Sequence, residues 1–149
     1  GGVAPSNAAH RHWAFRRLEA LLGGVKGRRI ALLGLSYKPG TDAIRRSVAI
    51  EVCRLLVKAG AAVAAYDPTV KKLPDDLAGT VTLAPSAQDA IKNADAVVLA
   101  TEWLEFCDPG IIQALKSAAR PLLLDQSRFL IKNIPRDGSI EYVTVGGAA

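Results

Sequence analysis

Residues 28–47, RRIALLGLSYKPGTDAIRRS, decide the fold. Ile30-Ala31-Leu32-Leu33 is a short apolar run bounded by arginines on one side and Gly34 on the other. That is the pattern of a strand covered on both faces. Pro39-Gly40 then marks a loop. Thr41 or Asp42 can cap a following helix, because Ile44, Val48, Val52, Leu55 and Leu56 recur at helical spacing. A helix start presents backbone N–H groups that attract anions, and Lys38, Arg45 and Arg46 add positive charge around it. A plain βα turn with solvated basic side chains fits the same residues equally well.

Downstream the pattern repeats. The helix over 45–59 ends at Gly60, and Ala62-Val63-Ala64-Ala65-Tyr66 reads as a second strand closed by Asp67-Pro68. An acidic residue at that place holds a ribose in dinucleotide folds, and it equally serves as a strand-ending turn residue. Residues 71–79 are polar, carry Pro74 and read as a loop. Thr80–Leu83 is a short third strand, and Ser86 caps a helix through Lys92. Asp95–Ala100 is a fourth, buried strand, followed by Thr101-Glu102-Trp103. A helix over 109–118 opens on Pro109, a fifth strand covers 121–124, and a last one covers 139–145. Upstream, 7–22 reads as a helix with a stripe of Trp13, Ala14, Leu18, Leu21 and Leu22, stopped by Gly23-Gly24. His10 and His12 flank Trp13, either as a pH-sensitive pair or as solvated surface residues, the commoner case. Strands alternating with helices predict an α/β fold: a doubly wound, mostly parallel, Rossmann-like sheet flanked by helices, with an N-terminal helix.

Composition narrows the function. The chain has 149 residues, half of them apolar and 22% charged, which is globular rather than disordered. Its net charge of +5 suits an anionic ligand. Nucleic acid is disfavoured, because only 5% of residues are aromatic and no Lys/Arg run exceeds two. No apolar run has the length of a membrane span and no secretory signal is visible, so a cytoplasmic location with reduced Cys53 and Cys107 is expected. No Cys/His cluster has metal-ligand spacing.

Three ordered motifs carry a resemblance. GLSYKPGTDAIRRS resembles the G-L-[AS]-[FY]-K-P-G-T-D-D-x-R-E-S-P opening of the UDP-binding, C-terminal domain of the UDP-glucose/GDP-mannose dehydrogenase family. Tyr66-Asp67-Pro68 and Thr101-Glu102-Trp103-Leu104-Glu105-Phe106 are similar to the next two motifs, the latter to T-E-W-x-x-F. Only Gly1–Ser6 falls outside the likeness. The resemblance implies an NAD-dependent UDP-sugar 6-dehydrogenase, which oxidises the sugar C6 alcohol to a carboxylate for polysaccharide biosynthesis. It implies that Tyr37 and Lys38 contact the UDP-sugar and that Arg45 reaches the pyrophosphate of NAD, itself bound mainly by an N-terminal domain. A substrate arginine is implied just after the fifth strand, as D-x-R. Here the run is Asp125-Gln126-Ser127-Arg128, so Arg128 comes one position late.

The departures make the loop more positive. Ala43 stands for a second Asp, Arg46 for Glu, and Val48 for Pro. Trp103 has two readings, packing against the sheet end or touching ligand, and packing is the commoner fate of such an aromatic. The family's catalytic cysteine lies in G-G-x-C-x-P-K-D, a context that neither Cys53 nor Cys107 has. Gly34-Leu35-Ser36 is not a G-x-G-x-x-G turn either. The expectation is therefore a substrate-binding half: residues 1–26 a helix and linker from the dehydrogenase half, residues 27–149 the UDP-sugar-binding domain. Its expected partners are a UDP-sugar and the N-terminal catalytic domain, in a parent enzyme that is a homodimer or larger. The rival readings are a stand-alone nucleotide- or NAD-binding module, and an oligomerisation domain with a vestigial pocket.

Overall fold

The computed structural model describes residues 12–36, 44 and 47–145. Among them, in chain order, are α1 (Trp13–Leu22), β1 (Arg29–Leu33), α2 (Val48–Lys58), β2 (Ala62–Tyr66), α3 (Asp75–Ala78) and β3 (Thr82–Leu83). Then follow α4 (Ala87–Ile91), β4 (Ala96–Leu99), a 3-10 turn (Leu104–Cys107), α5 (Pro109–Lys116), β5 (Leu122–Asp125) and β6 (Glu141–Val143). The six strands form one sheet in the order β3-β2-β1-β4-β5-β6, and every pair is parallel. The order runs outward from β1 in one direction and from β4 in the other. The switch between β1 and β4 is the place where doubly wound sheets open a crevice at their carboxyl ends.

Alternation along the strands divides the core in two. Ile30 and Leu32 of β1 join Val63, Ala65, Val98, Leu122 and Leu124 on the face covered by α1 and α2. Ala31 and Leu33 join Val97, Leu99 and Leu123 on the face covered by α4 and α5, with Phe106 fully buried among them. Both faces are thus covered, which is why these strands are continuous apolar runs. Leu18 of α1 is fully buried in the first cluster, so this helix is part of the same core.

Several boundaries differ from the expectation. The described part of the first helix begins at Trp13, and residues 7–11 lie outside the described set. It ends as expected at Gly23, in the left-handed region at φ 67°. The second helix starts at Val48 rather than at 45, because the Ser47 hydroxyl accepts from the Ile50 amide and caps it there. Ile44 packs on the core from outside that helix, while Thr41 and Asp42 lie outside the described residues. The stretch 71–79 is not all loop. Pro74 leads into the one-turn helix α3, whose Leu77 is buried and whose Asp76 meets Arg54 of α2 at 2.8 Å. Ser86 and Asp108 cap α4 and α5, and Pro109 opens α5. The third and sixth strands and the fifth helix are shorter than the apolar runs predicted. Val81, for instance, is used by a turn in which its N–H donates to the Leu77 carbonyl.

Gly34 is the tightest point at the switch. It has φ 101°, and its N–H donates to the Tyr66 carbonyl at 2.6 Å. A Cβ there would lie 2.4 Å from Cβ of Thr101 and 2.6 Å from its backbone nitrogen. No side chain fits without moving the end of β4 away from β1. Gly34→Ala is therefore expected to destabilise the fold by on the order of 3 kcal/mol, combining backbone strain with overpacking. Urea unfolding checks this: the midpoint falls while the slope is unchanged.

Candidate functional site

The rim at the carboxyl ends of the strands is organised by two aspartates, each at the end of a strand. Asp67, at the end of β2, is buried at 2% exposure. Its Oδ2 accepts from the Leu35 amide at 2.8 Å, from the Ser36 amide and hydroxyl at 2.9 Å each, and from the Trp103 indole at 3.2 Å. Its Oδ1 accepts from the Thr69 amide and hydroxyl at 2.9 Å each and from the Val70 amide at 3.3 Å. Among the described residues, seven donors thus converge on a carboxylate that has about four lone-pair positions. Burial alone would raise the Asp67 carboxyl, but the amides of Leu35, Thr69 and Ser36, with the Ser36 hydroxyl, outweigh it and lower the pKa to about 2.

Asp125, at the end of β5, does the same for the next loop. It is fully buried and accepts from the Phe129 amide at 3.0 Å, the Leu130 amide at 2.7 Å and the Tyr142 hydroxyl at 2.7 Å. Burial and then this hydrogen bond push the Tyr142 phenol upward. Within the turn that Asp125 holds, Arg128 takes a left-handed backbone, φ 63°, uncommon for an arginine.

Between these two anchors lies the end of β4. Thr101 is buried, and its hydroxyl donates to the Ser36 carbonyl at 3.0 Å. Glu102 is exposed and accepts from the Ser127 hydroxyl, joining the ends of β4 and β5. Trp103 is half-buried; it packs against the second core cluster and gives its indole N–H to Asp67. Tyr66 donates to Glu105 at 2.9 Å and stands edge-on to Phe106. Burial and then the Glu105 hydrogen bond push its phenol up to about 12.

A cleft of about 430 Å³ opens on the α1/α2 face beside the ends of β4 and β5. Its floor is apolar, with Trp13, Ala14, Val48 and Val52, and its polar edge is Glu102, Gln126 and Ser127. Such a slot with a few convergent polar groups has the size and character of a small-molecule site.

The residues singled out from sequence fall as follows. Tyr37, Lys38 and Arg45 lie outside the described residues. Arg128 is described and exposed on the β5 turn, but Gln126 and Ser127, not Arg128, line the cleft. Asp67 resolves in favour of the turn role, and Trp103 in favour of packing with a partly buried hydrogen bond to Asp67. His12 is exposed. Cys53 is fully buried, and its burial pushes the thiol up to about 12, so it is no nucleophile. Cys107 is half-buried, and both cysteines are free. Among the described residues, no group of His, Cys, Asp and Glu is placed to hold a metal ion. Sequence reading missed Ser36, Asp125, Tyr142 and the Glu102–Ser127 pair. The one local signal was an Asp at the end of the second and fifth apolar runs.

The fold and rim define a class: a doubly wound α/β domain whose candidate site lies at the carboxyl ends of its strands. The chain belongs to the UDP-glucose/GDP-mannose dehydrogenase family, whose UDP binding domain matches residues 31–132. It is 48% identical over 82 residues to a UDP-glucose 6-dehydrogenase of Haloferax volcanii, covering 55% of this chain and 19% of that protein. It is 35% identical over 147 residues to the UDP-glucose 6-dehydrogenase of Rickettsia prowazekii, covering 97% of this chain and 34% of that protein. Its fold superposes on the UDP-D-ManNAc dehydrogenase of Pyrococcus horikoshii with a TM-score of 0.69 at 28% identity, covering 95% of this chain and 30% of that one. The chain thus spans about a third or less of the relatives it matches.

The Asp67 carboxylate gives a pH signature. Its folded pKa, about 2, lies below the ordinary 3.8, so its contribution is present above about pH 4 and lost as pH falls towards 2. That contribution is on the order of 2 kcal/mol. Asp67→Asn is expected to be less stable than wild type at neutral pH, and the gap is expected to narrow between about pH 4 and pH 2. Denaturant titrations across that range check it; a gap independent of pH contradicts the assignment.

Proposed function

We propose that residues 27–149 bind the UDP part of a UDP-sugar, as the substrate half of an NAD-dependent UDP-sugar 6-dehydrogenase that acts on the C6 alcohol. The observation that carries this is convergence. The end of β1 that leads into Tyr37-Lys38, the Tyr66-Asp67-Pro68 turn and the Thr101-Glu102-Trp103 segment meet at one rim, tied by Asp67 and Thr101. The family match and the dehydrogenase names of the relatives support the same reading.

The chemistry follows from the residue types. Lys38 supplies a mobile point charge for the diphosphate, and Arg128, on the turn after β5, a fork that holds phosphate oxygens in pairs. Tyr37 completes the substrate contacts. Arg45 meets the pyrophosphate of NAD when the other half presents it. NAD supplies the hydride acceptor. The described residues do not form a dinucleotide site of their own, because the acid that would hold the ribose, Asp67, is consumed by backbone and side-chain donors. This weighs against a stand-alone NAD-binding module. Residues 1–26 belong in this reading to the junction with the N-terminal catalytic half, which supplies the reactive thiol, since Cys53 is buried and Cys107 lacks the sequence context of the family's catalytic cysteine. The parent enzyme is a homodimer or larger. The two free cysteines accord with a cytoplasmic location, and among the described residues no helix is long and apolar enough to cross a membrane.

Isothermal titration of the chain with UDP, UDP-glucose and NAD tests the reading. UDP and UDP-glucose are expected to bind more tightly than NAD; the reverse order overturns it. Lys38→Ala is expected to weaken UDP binding roughly ten- to a hundredfold, the value of one charge-assisted contact, with the melting temperature held. Arg128→Ala is expected to do the same. An unchanged affinity there assigns the phosphate to Lys38 alone and places the late arginine outside the site.

A further inference from the structure

We propose that Thr101 and Asp67 are positioning residues for UDP, acting through Ser36, an inference that rests on reading the loop after β1 as the UDP contact. Ser36 is the last described residue before Tyr37 and Lys38, and it is 2% exposed. Each of its polar groups is engaged. Its amide and its hydroxyl both donate to Asp67 Oδ2 at 2.9 Å, and its carbonyl accepts from the Thr101 hydroxyl at 3.0 Å. Asp67 stands at the end of β2 and Thr101 at the end of β4, the two strands that flank β1. The chain leaving β1 is therefore held from both sides at one residue.

The hold extends one turn back. Gly34, two residues earlier, lies so close to Thr101 that no Cβ fits between them, and the Leu35 amide also donates to Asp67. Residues 34–36 are thus fixed before the loop begins. Tyr37 is bonded directly to this anchor and Lys38 comes one residue later, at most about 7 Å of backbone away, so the anchor sets the point from which the chain carrying both leaves the sheet. A binding side chain must be held within about 0.5 Å of its working place by the residues behind it. Among the described residues, the bond that the buried Thr101 hydroxyl donates goes to Ser36, and a plain packing residue, valine, has the same shape. What the hydroxyl adds is the bond to Ser36.

The readout that separates positioning from mere stabilisation is affinity measured where every variant is fully folded. Three variants of the 149-residue chain are titrated with UDP by calorimetry at such a temperature: Thr101→Val, Thr101→Ser and Ser36→Ala. Thr101→Val and Ser36→Ala are expected to raise Kd roughly three- to tenfold, the effect of one hydrogen bond. Thr101→Ser keeps the hydroxyl and is expected to bind within about twofold of wild type, because the bond and not the methyl group positions the loop. If Thr101→Val and Ser36→Ala lower the melting temperature and leave Kd unchanged, the two residues only stabilise the fold and the proposal is overturned. It is overturned too if Thr101→Ser binds as weakly as Thr101→Val. Should Thr101→Val not fold, the Ser36→Ala and Thr101→Ser pair decides. Absence of UDP binding by the unmutated chain removes the underlying reading instead, and that result is seen before any variant is made.

Discussion

One carboxylate ties the functional rim together. Asp67 gathers the end of β1, the turn after β2 and the indole that follows β4 onto its two oxygens. Three stretches far apart in sequence thus share one buried charge. A buried carboxylate without partners would be costly, and one with this many donors stays ionised to low pH. The cost of burial and the gain from the donors are both large, and the donors prevail: the pKa is lowered, not raised. The same carboxylate position that serves a ribose in other doubly wound folds is here an internal brace. Asp125 repeats the device three strands across the sheet, on the loop that carries Arg128.

This arrangement explains why a domain so like a dinucleotide fold need not bind a dinucleotide. The sheet order puts its switch between β1 and β4, the place where doubly wound folds bind ligands. The turn at that switch has one glycine forced by the approach of Thr101, instead of a run of glycines that would let a pyrophosphate approach the backbone. With the acid occupied, what remains for recognition is positive charge in the loop after β1 and the cleft between α1, α2 and the ends of β4 and β5. A diphosphate attached to a single nucleoside is the ligand class that this balance fits.

Much of the fold was legible in the sequence. β2 falls on residues 62–66 as read, and β1 adds only Arg29, because both are apolar runs bounded by charge, glycine or Asp-Pro. Helix starts were less legible. Thr41, Asp42 and Ser47 are all good caps, and nothing local says that Ser47 is the one that closes on Ile50. The short helix α3 was hidden because a single buried Leu77 makes no periodic pattern. The role of Asp67 was left between ribose and turn for a physical reason. Its donors Leu35, Ser36 and Trp103 lie 31 to 36 residues away, so only the folded chain brings them together. For Arg128 the spacing showed the one-residue lag, but not the left-handed backbone that it takes in the turn.

The central claim is that Asp67 braces the rim while the nucleotide diphosphate sits over the end of β1. A crystal structure of this chain soaked with UDP tests it most directly. The account predicts diphosphate density beside Lys38, with the Asp67 oxygens still holding Leu35, Ser36 and Trp103. UDP found with its ribose on Asp67 and those bonds broken, or bound at the opposite edge of the sheet, would contradict it.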